Sequence, residues 1–196
     1  MSPGVRKFVL TTHLTASVGW IGAVVAYLAL GVSAVTTQEA QTVRAAWIAM
    51  EVTGWYAIVP LALAALLTGL VMSLGTPWGL FRHYWVLISL VLTMLSTAVL
   101  LAHMPTVTRT ADFVVQADAA SLLGGLGGDL FHPGLGLLVL LVITVLNVYK
   151  PRGLTPYGWR KQQEERARLE AKAQRAPAAG FPEALRPVLT ASRADN

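Results

Sequence analysis

The sequence predicts an all-α membrane protein, a polytopic four-helix bundle with both termini in the cytoplasm and a charged C-terminal tail. Three observations carry this reading. Hydrophobic residues make up 55% of the 196-residue chain and charged residues 13%, about half the usual share in a soluble domain. Four stretches reach the roughly 20 apolar residues that a bilayer crossing needs. The basic residues are unevenly placed, ten of the fifteen falling in residues 150–196.

The first span runs from Phe8 to Val35. Arg6 and Lys7 precede it, as they would in a signal peptide. Its apolar run is about twice the roughly 7–15 residues of a signal core, so it reads as a retained helix. The second span, Trp47 to Leu74, carries Pro60 in YAIVPLALAAL, which predicts a kink. Glu51 stands near the interfacial edge of that span. The third span runs from Tyr84 to Met104 and the fourth from Phe131 to Tyr149. No span contains Lys or Arg. Residues 1–150 are thus the transmembrane domain. The longest connection, residues 105–130, includes VVQADAASLLGGLGGDL and predicts a flexible loop with a short helix at the outer surface.

Orientation follows from the positive-inside rule. Arg6, Lys7, Arg82 and the tail share one side. The opposite connections carry Glu39 and Arg44, and Arg109 against Asp112, Asp118 and Asp129. An even number of spans then places both termini in the cytoplasm. Residues 151–196 form the tail. Tyr157, Trp159, Arg160 and Lys161 suit the headgroup level, as an anchor or a contact for anionic lipid. QQEERARLEAKAQR reads as a solvated helix with opposite charges such as Glu164 and Arg168 one turn apart. From Ala176 onward, three prolines and no periodicity predict disorder.

Composition also excludes chemistry. The absence of cysteine removes disulfides, thiolate zinc sites, iron–sulfur clusters and cysteine nucleophiles. No phosphate-binding glycine loop, nucleophile elbow or paired carboxylates point to a hydrolase or an NTPase. The net charge of +5 resides in one tail and is no nucleic-acid footprint. The lipid bilayer is the partner that composition requires.

The chemistry-bearing residues are four histidines, all at span ends: His13, His83, His103 and His132. Ionisable residues in a membrane are costly and tend to be functional. Helical rise places His13 ~12 Å from the middle of its span and His103 and His132 each ~13 Å from theirs. His83 lies at the inner boundary. By level the residues form two pairs, His13 with His83 inside and His103 with His132 outside. Such pairing is what bis-histidine ligation of haem b needs, with two imidazoles approaching the iron from different helices. Ala16, Ser17 and Trp20 share the face of His13 in TTHLTASVGWIGA, and small residues there allow a flat ring to lie against the helix. The rival use of His13 is a buried imidazole bonded to a backbone carbonyl or to Ser17. His83 and His103 are twenty residues apart, ~200° around one helix, so both cannot face the bundle from a straight span. His83, in FRHYW, then reads as interfacial, and His132, before Pro133, as a cap residue. A metal site competes for the outer residues: His103, His132, Met104 and Asp129 are the candidate ligands, for copper or zinc.

The run H-x6-W-x-G, here His13, Trp20 and Gly22, resembles the opening helix of two bacterial membrane families. These are the copper-resistance D type and the membrane-bound, haem-linked protoporphyrinogen oxidase type. Over residues 8–161 the layout, with its YKPRGLTPYGWR exit, is similar to a family of uncharacterised four-span bacterial integral membrane proteins. The resemblance implies a bacterial cytoplasmic membrane and, at His13, a haem ligand. The chain departs from the oxidase pattern, with GVSAVTTQEA after its first helix and no lysine in a span, so the oxidase activity does not carry over. Copper permeation by four spans would need a homo-oligomer or a larger complex. Three functions follow as expectations. The first is a b-type redox subunit or electron conduit exchanging electrons with quinone or a partner protein. The second is copper or other divalent-metal transport or sensing. The third is an accessory subunit without a cofactor.

Overall fold

The computed structural model describes residues 2–75, 80–125, 129–151 and 153–175. Every extended element among them is helical, and four helices are long and apolar enough to cross a membrane. The expected disorder beyond Ala176, the TPWG connection and the second Gly-Gly pair lie outside the described residues.

Helix α1 (Pro3–Thr36) opens with Ser2, whose hydroxyl accepts the Val5 amide, and with proline at its first position. Its buried residues are Ala16, Trp20, Val24, Tyr27, Gly31 and Ala34, spaced three or four apart. That spacing makes one continuous seam of about two residues per turn-pair, the pattern of helices that pack lengthwise.

The second span is a single 36-residue rod, Ala40–Gly75. It is built of α2 (Ala40–Thr53), a π-helical turn (Gly54–Ile58) and α3 (Val59–Gly75). Pro60 has no N–H for the carbonyl one turn back, and its ring crowds that carbonyl. The expected kink takes the form of the π turn just ahead of it, in which the Val59 amide bonds to Gly54 O. Gly54 serves a second purpose. A Cβ there would fall 2.6 Å from Met104 Cε and 2.8 Å from its Sδ, so only glycine admits the thioether.

Helix α4 (Tyr84–Gln116) does not stop at Met104 but runs on through Pro105. Met104, Val107, Ala111 and Val114 continue the buried stripe at helical spacing, and Met104, Val107 and Val114 pack in one core with Val43, Ala46, Trp47 and Met50 of α2. Arg44 closes the far end: its Nε donates to Val114 O and its Nη2 to Ala117 O, both at 2.8 Å. A guanidinium on the last carbonyls of a helix both satisfies them and complements the helix dipole. The short helix expected in the next connection is α5 (Ala119–Gly125), capped by Asp118, whose Oδ1 accepts the Ser121 amide at 2.9 Å. The Ser121 hydroxyl and amide hold the Asp118 carboxyl below its ordinary value.

Helix α6 has the expected bounds, Phe131–Tyr149, and ends at Lys150 in the left-handed conformation before Pro151. The chain leaving it pairs with the entry to α4. Tyr84 N donates to Gly153 O, Thr155 N to Arg82 O, and the Thr155 hydroxyl to Phe81 O.

Around the bundle α1 packs on α2, α3 and α6, and α4 packs on α2, α3 and α6, so consecutive spans are neighbours. The outer faces are apolar: Phe8, Val18, Leu67, Leu138 and Val148 are each more than half exposed. A surface of that kind matches lipid, not water. The chain is a multi-pass, all-α bundle in contact with the bilayer. The C-terminal unit, beginning at Pro156, contains α7 (Pro156–Arg175), in which Lys161 pairs with Glu164 at 3.2 Å.

Candidate metal centre

The site forms where α1, α4 and the start of α6 meet. Asp129 is its hub. The residue precedes α6, and its side chain is 9% exposed. Its Oδ2 accepts the Tyr27 hydroxyl at 3.0 Å and lies 2.5 Å from His103 Nε2. Its Oδ1 lies 3.5 Å from His132 Nδ1. A carboxylate accepts only, so in this arrangement both Tyr27 and His103 donate to it. Three helices are thereby tied through one side chain.

The helices place these groups for local reasons. Tyr27 lies on the buried seam of α1, seven residues after Trp20 and fourteen after His13. His103 stands one residue before Met104, whose thioether is lodged against Gly54, so the anchored neighbour holds the turn that carries the imidazole. His132 and Pro133 are the second and third residues of α6, in the first turn, where the missing proline N–H leaves no helical bond unmade, and Leu130 holds the cap position instead of His132.

His103 and His132 stack face to face, with ring centroids 4.1 Å apart and 23° between planes. The two rings expected at one level lie against each other. The stack bears on what they can hold. Axial ligands of one haem point their nitrogens at each other across the macrocycle, one ring on each face. Stacked rings in contact direct their nitrogens along nearly parallel planes and leave no slot between them. This geometry does not fit a haem held between the pair. It does fit an ion: one ligand atom from each of His103, Asp129 and His132 lies within 4.8 Å of the others.

The cluster heads a lipid-side groove of about 180 Å³ lined by Trp20, Val24, Leu95, Val99, Leu135 and Val139 among others. Met104 borders the same groove, and its sulfur lies against Gly54.

The other two histidines are placed differently. His13 Nδ1 lies 3.1 Å from Ala65 O and 3.0 Å from Thr68 Oγ1. The Thr68 hydroxyl donates to Ala64 O, so it meets the ring as an acceptor. Two acceptors assign the proton to Nδ1 and the lone pair to Nε2. The backbone partner anticipated for His13 is therefore present, with Thr68 in place of Ser17. Gly69 makes room for the ring; a Cβ there would lie 3.2 Å from His13 Cε1. His83 is the residue before α4 and pairs with Leu154 across the clasp. It is not among the described walls of the cavity that His13 lines.

Tyr27 is the residue of this cluster that motif reading passes over. A tyrosine in an apolar span carries no metal-site signature, and its role depends on Asp129, 102 residues away. The one signal for it is periodicity, since the face bearing His13 and Trp20 reaches Tyr27 after two further turns. Comparison with protein-family models, with curated proteins and with solved structures finds no match for this chain.

Proposed function

We propose that this membrane protein captures a divalent transition-metal ion between His103, Asp129 and His132, for sensing or transfer at the bundle end away from the cytoplasm. The convergence of three ligand atoms from two spans within 4.8 Å carries the reading. Two imidazoles and a carboxylate form a three-ligand zinc set with a fourth position left open, and imidazole also suits cupric copper. The orientation rests on the basic residues at the opposite end.

The residues divide the work. His103 and Asp129 are held together by a proton between Nε2 and Oδ2. A bound ion would displace this hydrogen bond, with the neutral His103 ring presenting a nitrogen lone pair and its N–H on the other ring nitrogen. Tyr27 fixes the carboxylate from behind, as outer partners of metal ligands do. His132, about half exposed, would supply the ligand on the accessible side of the site. Beyond the site the seam is closed by Trp20, Val24, Ile58 and Ala62, all buried. That closure supports capture over permeation through a single chain.

Metal titration of the purified protein in detergent, with Zn²⁺ and with Co²⁺ as a spectroscopic substitute, tests this. One ion per chain is expected. His103→Ala should weaken binding more than ~100-fold, and Tyr27→Phe by ~10-fold. Failure of His103→Ala to change Zn²⁺ affinity would sink the proposal. A Soret band with stoichiometric iron in the same preparation would return the site to the haem reading.

A further inference from the structure

We infer that the lipid-side groove between α4 and α6 binds the ring of a membrane-soluble quinol, with the chain of the quinol running out into the bilayer. The groove shares Asp129 and His132 with the proposed metal centre, but the inference needs no ion. Its volume is about 180 Å³. That space takes one ring and the start of a chain, not the paired acyl chains of a phospholipid. Along α4 its lining reaches from His103 to Leu92, ~16.5 Å by helical rise. Trp20, Val24 and Tyr27, buried residues of α1, form its inner wall.

The polar end of the groove sets the charge of the ligand. Asp129 stands there, and the described walls carry no Lys or Arg. A phosphate or a fatty-acid carboxylate would meet a like charge with no cation beside it, which selects a neutral head. The same end sets the hydrogen bonding. Asp129 Oδ2 is taken by Tyr27 and His103. Its Oδ1 faces His132 Nδ1 at 3.5 Å, longer than an ordinary hydrogen bond. A hydroxyl placed there donates to Oδ1 and shares a second hydrogen bond with the His132 ring. A carbonyl has no proton to give the carboxylate. The reduced, hydroxyl-bearing ring is therefore the form that fits.

A second polar group sets the shape of the head. Ser96 lines the groove seven residues before His103, on the same face of α4 and ~10.5 Å further into the span. The walls between are apolar or aromatic, with Val99, Leu100 and Trp20 among them. A ring with hydroxyls at opposite ends reaches both the cluster and Ser96. A chain alcohol reaches one of them and leaves the other against hydrocarbon. On the facing helix, Gly136 lies one turn after His132, and a Cβ there would meet nothing within 4 Å. The groove is open at that point, so a flat ring can lie against the backbone of α6.

The test is calorimetric titration of the purified full-length protein in mixed micelles. Decylubiquinol, its oxidised quinone and decanol are compared, and Zn²⁺ affinity is measured on the same preparations. The quinol should bind ~10-fold more tightly than either the quinone or decanol. Gly136→Leu, which places a side chain in the open space, should weaken quinol binding more than ~20-fold. Ser96→Ala should weaken it ~5-fold. Neither variant should change Zn²⁺ affinity. Equal binding of the three probes, or quinol binding unchanged by Gly136→Leu, overturns the inference and leaves the groove to hydrocarbon chains. Should Gly136→Leu fail to fold, the order of the three probes on the unsubstituted protein still decides. Preferential quinol binding without Zn²⁺ binding supports this inference and refutes the metal reading alone. Zn²⁺ binding with no preference among the three probes refutes this inference alone.

Discussion

His13 and His103 stand near opposite ends of one bundle, each a single imidazole set into an apolar seam. What differs is the acceptor each ring meets. His13 donates to a backbone carbonyl and a threonine hydroxyl on α3, both neutral. His103 donates to a carboxylate that also holds Tyr27 and stands beside a second, stacked imidazole. The first arrangement satisfies the ring and joins two helices. The second gathers a carboxylate and two imidazoles in one place, the donor set of the proposed metal site. The same residue type at similar depth is therefore a helix-to-helix tie at one end and part of a carboxylate cluster, the proposed metal site, at the other. Its neighbours, not its level in the membrane, decide which.

Asp129→Ala is the change that strikes the contrast hardest. It removes the hub of three helices and leaves the Tyr27 hydroxyl and His103 unpaired. Breaking a paired, largely buried carboxylate in this way should cost about 3 kcal/mol of stability and abolish Zn²⁺ binding. Chemical unfolding in mixed micelles and metal titration would register both losses. A variant that lost neither would show that the two ends do not differ as described.

His13→Ala is the counterpart. It should cost about 1 kcal/mol, the scale of side-chain hydrogen bonds between membrane helices, and leave Zn²⁺ affinity unchanged. Changed Zn²⁺ affinity in this variant would mean that the two ends are coupled, contrary to the separation drawn between them.

The smallest expected effect lies at the surface of the metal-centre end. The hydroxyl and amide of Ser121 favour ionised Asp118, so its capping of α5 is complete at neutral pH. The cap weakens as pH falls below the ordinary aspartate value of about 3.9 and through the lowered one. Hydrogen exchange at Ser121 and Leu122, corrected for its intrinsic pH dependence, should rise only a few-fold over that range. Asp118→Asn should flatten the response; a response of equal size in that variant would point to another group.

All four spans could be located from hydropathy alone, and α6 has the bounds that composition suggests. A bilayer demands long apolar runs whatever the helices pack against, so that property is written locally. The extension of α4 to Gln116 was also present as a stripe, at Met104, Val107, Ala111 and Val114. Pro105 and the polar residues between obscured it, because the helix there is stabilised by Arg44 from α2 and not by its own sequence. The π turn at Gly54 has the same character: proline announced a distortion, and Met104 required its glycine.

By itself, then, the sequence determined the class of the protein, the spans, the lack of thiol chemistry and the set of four histidines. Hydrophobicity and residue type are local properties, and each span must satisfy the membrane independently. The tertiary structure decided which histidines have a carboxylate, which ring nitrogen is occupied, and that the outer pair stacks in contact. Those outcomes depend on the rotation of each helix about its axis. That rotation is set by packing between residues as distant in sequence as Tyr27 and Asp129, which no single span encodes.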